Sequence, residues 1–131
     1  MAVLSRLESF DRDLAGALLS ASQDLQMRVA QFAADWAVAH TGLTHPALLA
    51  SSVEDVAALV AELDDRYFTL SKERDEGRAS SDDVVTAFGL ARAASAVEFL
   101  RRGEAAEAVY EAAASVEDWS ELRAALLVRL G

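Results

Sequence analysis

Residues 53–70 read VEDVAALVAELDDRYFTL, and this stretch decides the fold class. Its apolar residues fall at Val53, Val56, Val60, Leu63, Tyr67 and Leu70, in steps of 3, 4, 3, 4 and 3. Those steps follow one face of an α-helix, whereas a half-buried strand would alternate with period two. The seam lasts fewer than three heptads, which predicts a helix in a bundle rather than an extended coiled coil. Ser51 with Glu54 three residues later matches a capping box at its start. The charged run Lys72–Glu76 and then Gly77 mark its end.

The helical pattern continues in both directions. Upstream, Leu4, Leu7, Leu14, Leu18, Ala21, Leu25, Val29, Phe32 and Trp36 keep helical spacing, behind a second capping-box pair, Ser5 and Glu8. Unbroken to Thr41, that helix would run about 55 Å at 1.5 Å per residue. The expected break is Ser20-Ala21-Ser22, because serine hydroxyls compete for backbone groups. Gly42 supplies the stop, and Thr44-His45-Pro46 opens a short turn through Leu49. Downstream, Asp82 and Asp83 favour a helix start through the macrodipole. From Val84 to Leu100 apolar residues point almost all round, which predicts a central helix. Gly89 within it allows a close approach, and Gly103 closes it. An alanine-rich helix covers Glu104 to about Ser115. Asp118 with Glu121 is expected to cap a last helix that carries Trp119, Leu122, Leu126 and Leu130 on one face.

Composition agrees. The chain of 131 residues has 28 Ala and 18 Leu against 12 Val and no Ile. Helix formers dominate and strand formers are scarce. With one Pro and six Gly there is little punctuation for a many-stranded fold. The expectation is an all-α, single-domain bundle over residues 1–131, with five to seven helices including a C-terminal αα-hairpin. The stretch from Ala96 to Ala112 resembles the helix–turn–helix of a tetratricopeptide repeat, with Gly103 at the turn and Ala106, Tyr110 and Ala113 behind it. The glycine sits two positions too close to that triplet and no second copy follows. A lone copy cannot stack, so the stretch reads as an ordinary αα-hairpin.

Charge and residue usage exclude several classes. Twelve bases against 22 acids give a net charge of −10. That disfavours nucleic acid, which needs clustered Lys and Arg. The absence of Cys removes thiolate metal sites and thiol catalysis. No run approaches the roughly 18 apolar residues of a membrane span. No secretory signal is read, so the expected location is cytoplasmic. Arginine outnumbers lysine eleven to one, and Ile and Asn are absent, a bias expected of a GC-rich bacterial genome.

Few residues point to chemistry. His40 and His45 are five apart across Gly42, which is not the spacing of a helical metal site. His40 is expected to pack at a helix C-terminus. No metal or other cofactor is implied, and no phosphate loop or nucleophile elbow occurs. Glu62, Asp64, Asp65 and Arg66 read as a solvated face. Glu98 and Arg102 form an i, i+4 pair. Arg92 lies mid-helix among small apolar residues, so it must find a carboxylate or carbonyls if that helix is central. It is either a structural ion pair or the cation of an anion-binding pocket, to which Tyr67 and Tyr110 could add hydroxyls. Glu104, Glu107 and Glu111 line one helical face, a candidate surface for a basic partner. Together these features favour a non-enzymatic protein-interaction module, such as a bacterial adaptor or an immunity-type protein. The alternatives are a homo-oligomer, with a homodimer the simplest case, and a small-ligand or anion binder with a pocket near Arg92.

Overall fold

The computed structural model describes residues 6–49 and 52–131. Ser5 and Ser51, and with them the two capping boxes read at those positions, lie outside the described residues. The helices are α1 (Arg6–Phe10), α2 (Arg12–Leu19), α3 (Gln23–Thr41), α4 (Val53–Asp75), α5 (Ser81–Arg101), α6 (Ala105–Ala114) and α7 (Ser120–Leu130), with a 3₁₀ turn at Pro46–Leu49. Among the described residues there is no strand. The chain is an all-helical bundle, and α5 and α6 pack as the expected hairpin across Gly103. Among the described residues no helix is long and apolar enough to cross a membrane.

Local chemistry explains the boundaries. The break at Ser20–Ser22 occurs where serines compete, and Ser22 then caps α3 by accepting from the Leu25 N–H. The periodicity gives no sign of a second break, at Asp11. There the backbone is extended, and the carboxylate accepts from the Leu14 N–H to start α2. Gly42 ends α3 at φ 71°, and the N–H groups of Gly42 and Leu43 both reach the Val38 carbonyl. Ser52 caps α4, and Ser80 with Asp83 forms a reciprocal capping box on α5. The expected Asp118–Glu121 cap is not formed. Asp118 instead accepts from the N–H and hydroxyl of Ser120, which closes a tight turn two residues earlier.

The core is built from small side chains. α5 lies centrally against α3, α4 and α6, and α3 also packs on α6 and α7. On α3 the deepest face is Ala30, Ala33, Ala34 and Ala37, while Phe32 and Trp36 are only half-buried. The aromatic part of the stripe read from the sequence, Phe32 and Trp36, is therefore the flank of the contact, whereas Val29 of the same stripe is buried. Alanine faces let helix axes approach closely, and large side chains then fill the edges. Ala93 and Ala94 of α5 and Ala105, Ala108 and Ala112 of α6 share one buried cluster with that face. Leu7, Leu14, Leu18, Leu122 and Leu126 close the core around it.

The closest approach is at Gly89. A Cβ built there would lie 2.6 Å from the Ser115 carbonyl oxygen at the end of α6. Gly89→Ala should gain about 1 kcal/mol from helix propensity and lose more to overpacking, roughly 1–3 kcal/mol. A net loss of stability is expected in urea unfolding, and a stabilised variant would show that α5 and α6 can part without cost.

The two ends of the chain are clamped by a single ion pair. Arg123 Nε donates to Asp11 Oδ2 at 2.5 Å, tying the α1–α2 corner to α7. The Arg123 hydrogen bond, reinforced by the Leu14 N–H, holds the Asp11 carboxyl below its ordinary value of 3.8. The unfolded chain then binds more protons than the folded one just below pH 3.8, so this stabilisation is complete above that pH and lost as pH falls through the lower folded value. Asp11→Asn keeps a capping oxygen and removes the charge. The stability gap between wild type and D11N should be open at pH 6 and close as denaturation is followed below pH 3.8. A pH-independent gap would contradict the clamp.

Candidate functional site

Glu111 is the deepest charged residue of the described structure, with 1% of its side chain exposed. It sits on α6 where the alanine face turns toward α5 and α1. A buried carboxylate costs several kcal/mol unless it is paired. Each of its oxygens takes one guanidinium: Arg6 Nη2 donates to Oε1 at 2.7 Å, and Arg92 Nη1 donates to Oε2 at 2.9 Å. Arg92 also donates from Nη2 to Asp64 Oδ1 at 2.7 Å, and Arg6 from Nε to Glu107 Oε2 at 2.8 Å. Five charged groups from α1, α4, α5 and α6 thus form one network. Arg92 Nε is buried and has no hydrogen-bond partner, the one such side-chain atom found among the described residues.

This geometry places the residues singled out by sequence. Arg92 is four-fifths buried and paired with two carboxylates, as its position required. Asp64 leaves the solvated face read for its neighbours, whereas Glu62, Asp65 and Arg66 stay exposed. Glu104, Glu107 and Glu111 do not form an outward acidic face. Only Glu104 is exposed; Glu107 is half-buried on Arg6, and Glu111 is interior. A face inferred from helical spacing cannot show which neighbour closes over it. Tyr67 and Tyr110 are not brought together at Arg92, and neither hydroxyl donates to or accepts from it among the described contacts. The Tyr110 ring lies under the Arg6 guanidinium, 4.4 Å from its centroid, and meets Phe10 edge-on. Tyr67 packs on Phe88 with centroids 5.2 Å apart. The expected Glu98–Arg102 pair is present at 2.7 Å.

The histidines have local roles. His40 stacks on Trp36 at 3.7 Å, with Nδ1 beside the Trp36 carbonyl at the end of α3. His45 Nδ1 accepts from the Ala47 N–H, which shapes the 3₁₀ turn. No group of His, Cys, Asp and Glu with metal-site geometry occurs among the described residues.

Two surface features were not legible in the sequence. One is a groove of about 840 Å³ between α3, the 3₁₀ turn and the end of α5, floored by Met27, Val38, Leu43, Leu48, Val97 and Leu100. Arg101 forms part of its wall by donating to the Ala47 and Leu48 carbonyls. The second is an aromatic face on the α4–α5 hairpin. The 3-4-3 seam of α4 is only half covered: Val56 is buried, but Val53, Val60, Leu63, Tyr67 and Leu70 are not. Phe68 is 67% exposed, Val85 47% and Phe88 38%. Phe68 touches Tyr67, Tyr67 touches Phe88, and Arg92 lies over the Phe88 ring at 5.6 Å. Beside these rings a cleft of about 380 Å³ opens toward Val116 and Glu117. Isolated exposed apolar residues are ordinary, but a contiguous aromatic group is not.

The network predicts strong coupling. Glu111→Leu leaves Arg92 and Arg6 without their shared carboxylate and should cost about 3 kcal/mol. The double variant E111L/R92M removes both members of the deepest pair and should recover at least half of that loss. A double-mutant cycle in urea reads the result; simple additivity would show that the pair is not a unit.

No protein-family model, no curated protein and no solved structure matches this chain.

Proposed function

We propose that the protein is a non-enzymatic interaction module that binds a basic protein partner through the aromatic face of the α4–α5 hairpin. The observation that carries this reading is the exposed group Phe68, Val85 and Phe88, joined through the half-buried Tyr67, on a side of the helix pair that no described residue covers. Large rings in water cost free energy unless a partner desolvates them, and aromatic anchors dominate protein interfaces. The network beneath supports the face: Arg92 holds Phe88 from below, and Asp64 lies one turn before Tyr67 on α4. A rigid support lowers the ordering cost of binding.

Charge supports a basic partner. Arg6, Arg28, Arg74, Arg78, Arg92, Arg102 and Arg123 are each within ion-pair reach of carboxylates of the chain itself, so most of the net charge of −10 lies outside these pairs. Asp65 and Asp82 are exposed three residues before Phe68 and Val85, and Glu117 borders the cleft. The bases of α4 near these rings are Arg66, beside Tyr67, and Lys72, one turn after Phe68. A second copy would also carry a net charge of −10, which favours a heterologous partner over a homodimer. The anion-binder reading loses its cation, because both terminal nitrogens of Arg92 already serve Asp64 and Glu111.

Native mass spectrometry of protein purified gently from its own cells tests this. A heterologous complex should appear, dissociate as salt is raised, and weaken at least about 30-fold in Phe68→Ala. The same substitution should change folding stability by no more than about 0.5 kcal/mol, because Phe68 is exposed. A bare monomer or a homodimer would overturn the reading, as would a complex indifferent to Phe68.

A further inference from the structure

The interaction reading names a face and a charge but not how a partner is recognised. The cleft beside Phe88 adds that. Its walls are Tyr67 and Phe88, with ring centroids 5.2 Å apart and planes inclined at 55°. Its floor is the buried Val84 with Ala114 and Ser115. The Ser115 hydroxyl is already engaged with the Ala112 carbonyl, so it offers no free donor to an anion. The rim carries Val85, Val116 and Glu117, and Glu117 is the only charged residue that lines the space. Glu117 is exposed and has no ion-pair partner among the described residues.

We infer that this cleft receives an alkylammonium side chain, a lysine or its methylated form, from the basic partner. Two aromatic rings with negative quadrupoles on their faces line the cleft, their planes inclined at 55°, and a carboxylate with no ion-pair partner among the described residues stands at the rim. Both terms attract a cation and neither attracts an anion. A compact ammonium fills a corner between inclined rings, whereas a flat guanidinium is best satisfied by stacking on one ring face. The valines and alanine around the corner suit the methylene stem of a lysine, which buries its carbons and keeps its charge at the mouth. The same chemistry already operates inside the chain, where Arg92 lies over Phe88 and Arg6 over Tyr110. Phe68 lies outside the cleft lining, on the far side of Tyr67. It serves the surrounding face, and Tyr67, Phe88 and Glu117 serve the pocket.

This inference rests on the interaction reading, and its test is separate. Titration of the intact protein with the N-acetyl methylamides of lysine, trimethyllysine and norleucine, followed by NMR, reads the pocket without any partner. Both cationic amides should shift the resonances of Tyr67, Phe88, Val116 and Glu117 saturably, with norleucine at least about fivefold weaker. A tighter trimethyllysine would identify the methylated form as the ligand, and equal binding would identify lysine itself. Glu117→Gln should weaken the cationic amides about fivefold, and Phe88→Leu about five- to tenfold, with the norleucine response unchanged. Because Glu117 is exposed, its variant keeps the test valid if Phe88→Leu disturbs the hairpin. Norleucine binding as well as lysine, or no saturable shift at these residues, overturns the pocket. A heterologous complex that persists while the amides fail to bind overturns this inference alone. Amide binding in a protein that forms no complex overturns the interaction reading alone.

Discussion

The buried carboxylate of Glu111 is the constraint on which the arrangement depends. α3, α5 and α6 meet through alanine, so their axes come close and a residue on the inner side of α6 has no path to water. A glutamate there requires two cations, and they come from opposite sides: Arg92 from α5 and Arg6 from α1. α1 is five residues long and could not hold its place by propensity. It is held by Arg6 on Glu111 and Glu107, by Leu7 in the core, and by Phe10 on Tyr110 and Trp119. Arg92 extends the same network to Asp64 and so fixes α4 against α5.

An alanine core also explains why polar clamps matter in so small a chain. Burial of an alanine removes little apolar area from water, and the hydrophobic contribution scales with that area. Dispersion between close-packed backbones offsets part of the difference. Specificity of packing then depends on the few places where only one register fits. Gly89 under the Ser115 carbonyl is one, and the Asp11–Arg123 clamp is another. Buried pairs add little net stability but penalise every arrangement that separates them.

Rings and charges alternate across the molecule. Phe68, Tyr67 and Phe88 lead to Arg92, then to Glu111 and Arg6, then to Tyr110, Phe10 and Trp119. One end is exposed on the α4–α5 hairpin, and the middle is interior. The exposed rings are therefore mounted on helices rather than on a loop.

Most helices and many of their ends were legible in the sequence, though the break at Asp11 and the turn at Ser120 were not. Periods of three and four, the serines near residues 20 and 52, the aspartates at 82 and 83, and the glycines at 42, 77 and 103 act within one or two turns, so a linear reading can find them. It also indicated that Arg92 needs a carboxylate or carbonyls if its helix is central, because a mid-helix arginine among small apolar residues has no local water. Tertiary structure alone decided which carboxylates, since Asp64 and Glu111 lie 28 and 19 residues away. It decided that the alanine stripe of α3, rather than its aromatic stripe, faces the centre, because depth depends on what packs opposite. It decided that Glu111 is interior while Glu104, seven residues earlier on the same helical side, is in water. The α4 seam shows the limit most clearly. Its spacing states that one face is apolar, but only the number of helices laid against that face decides whether its rings are buried or left for another molecule.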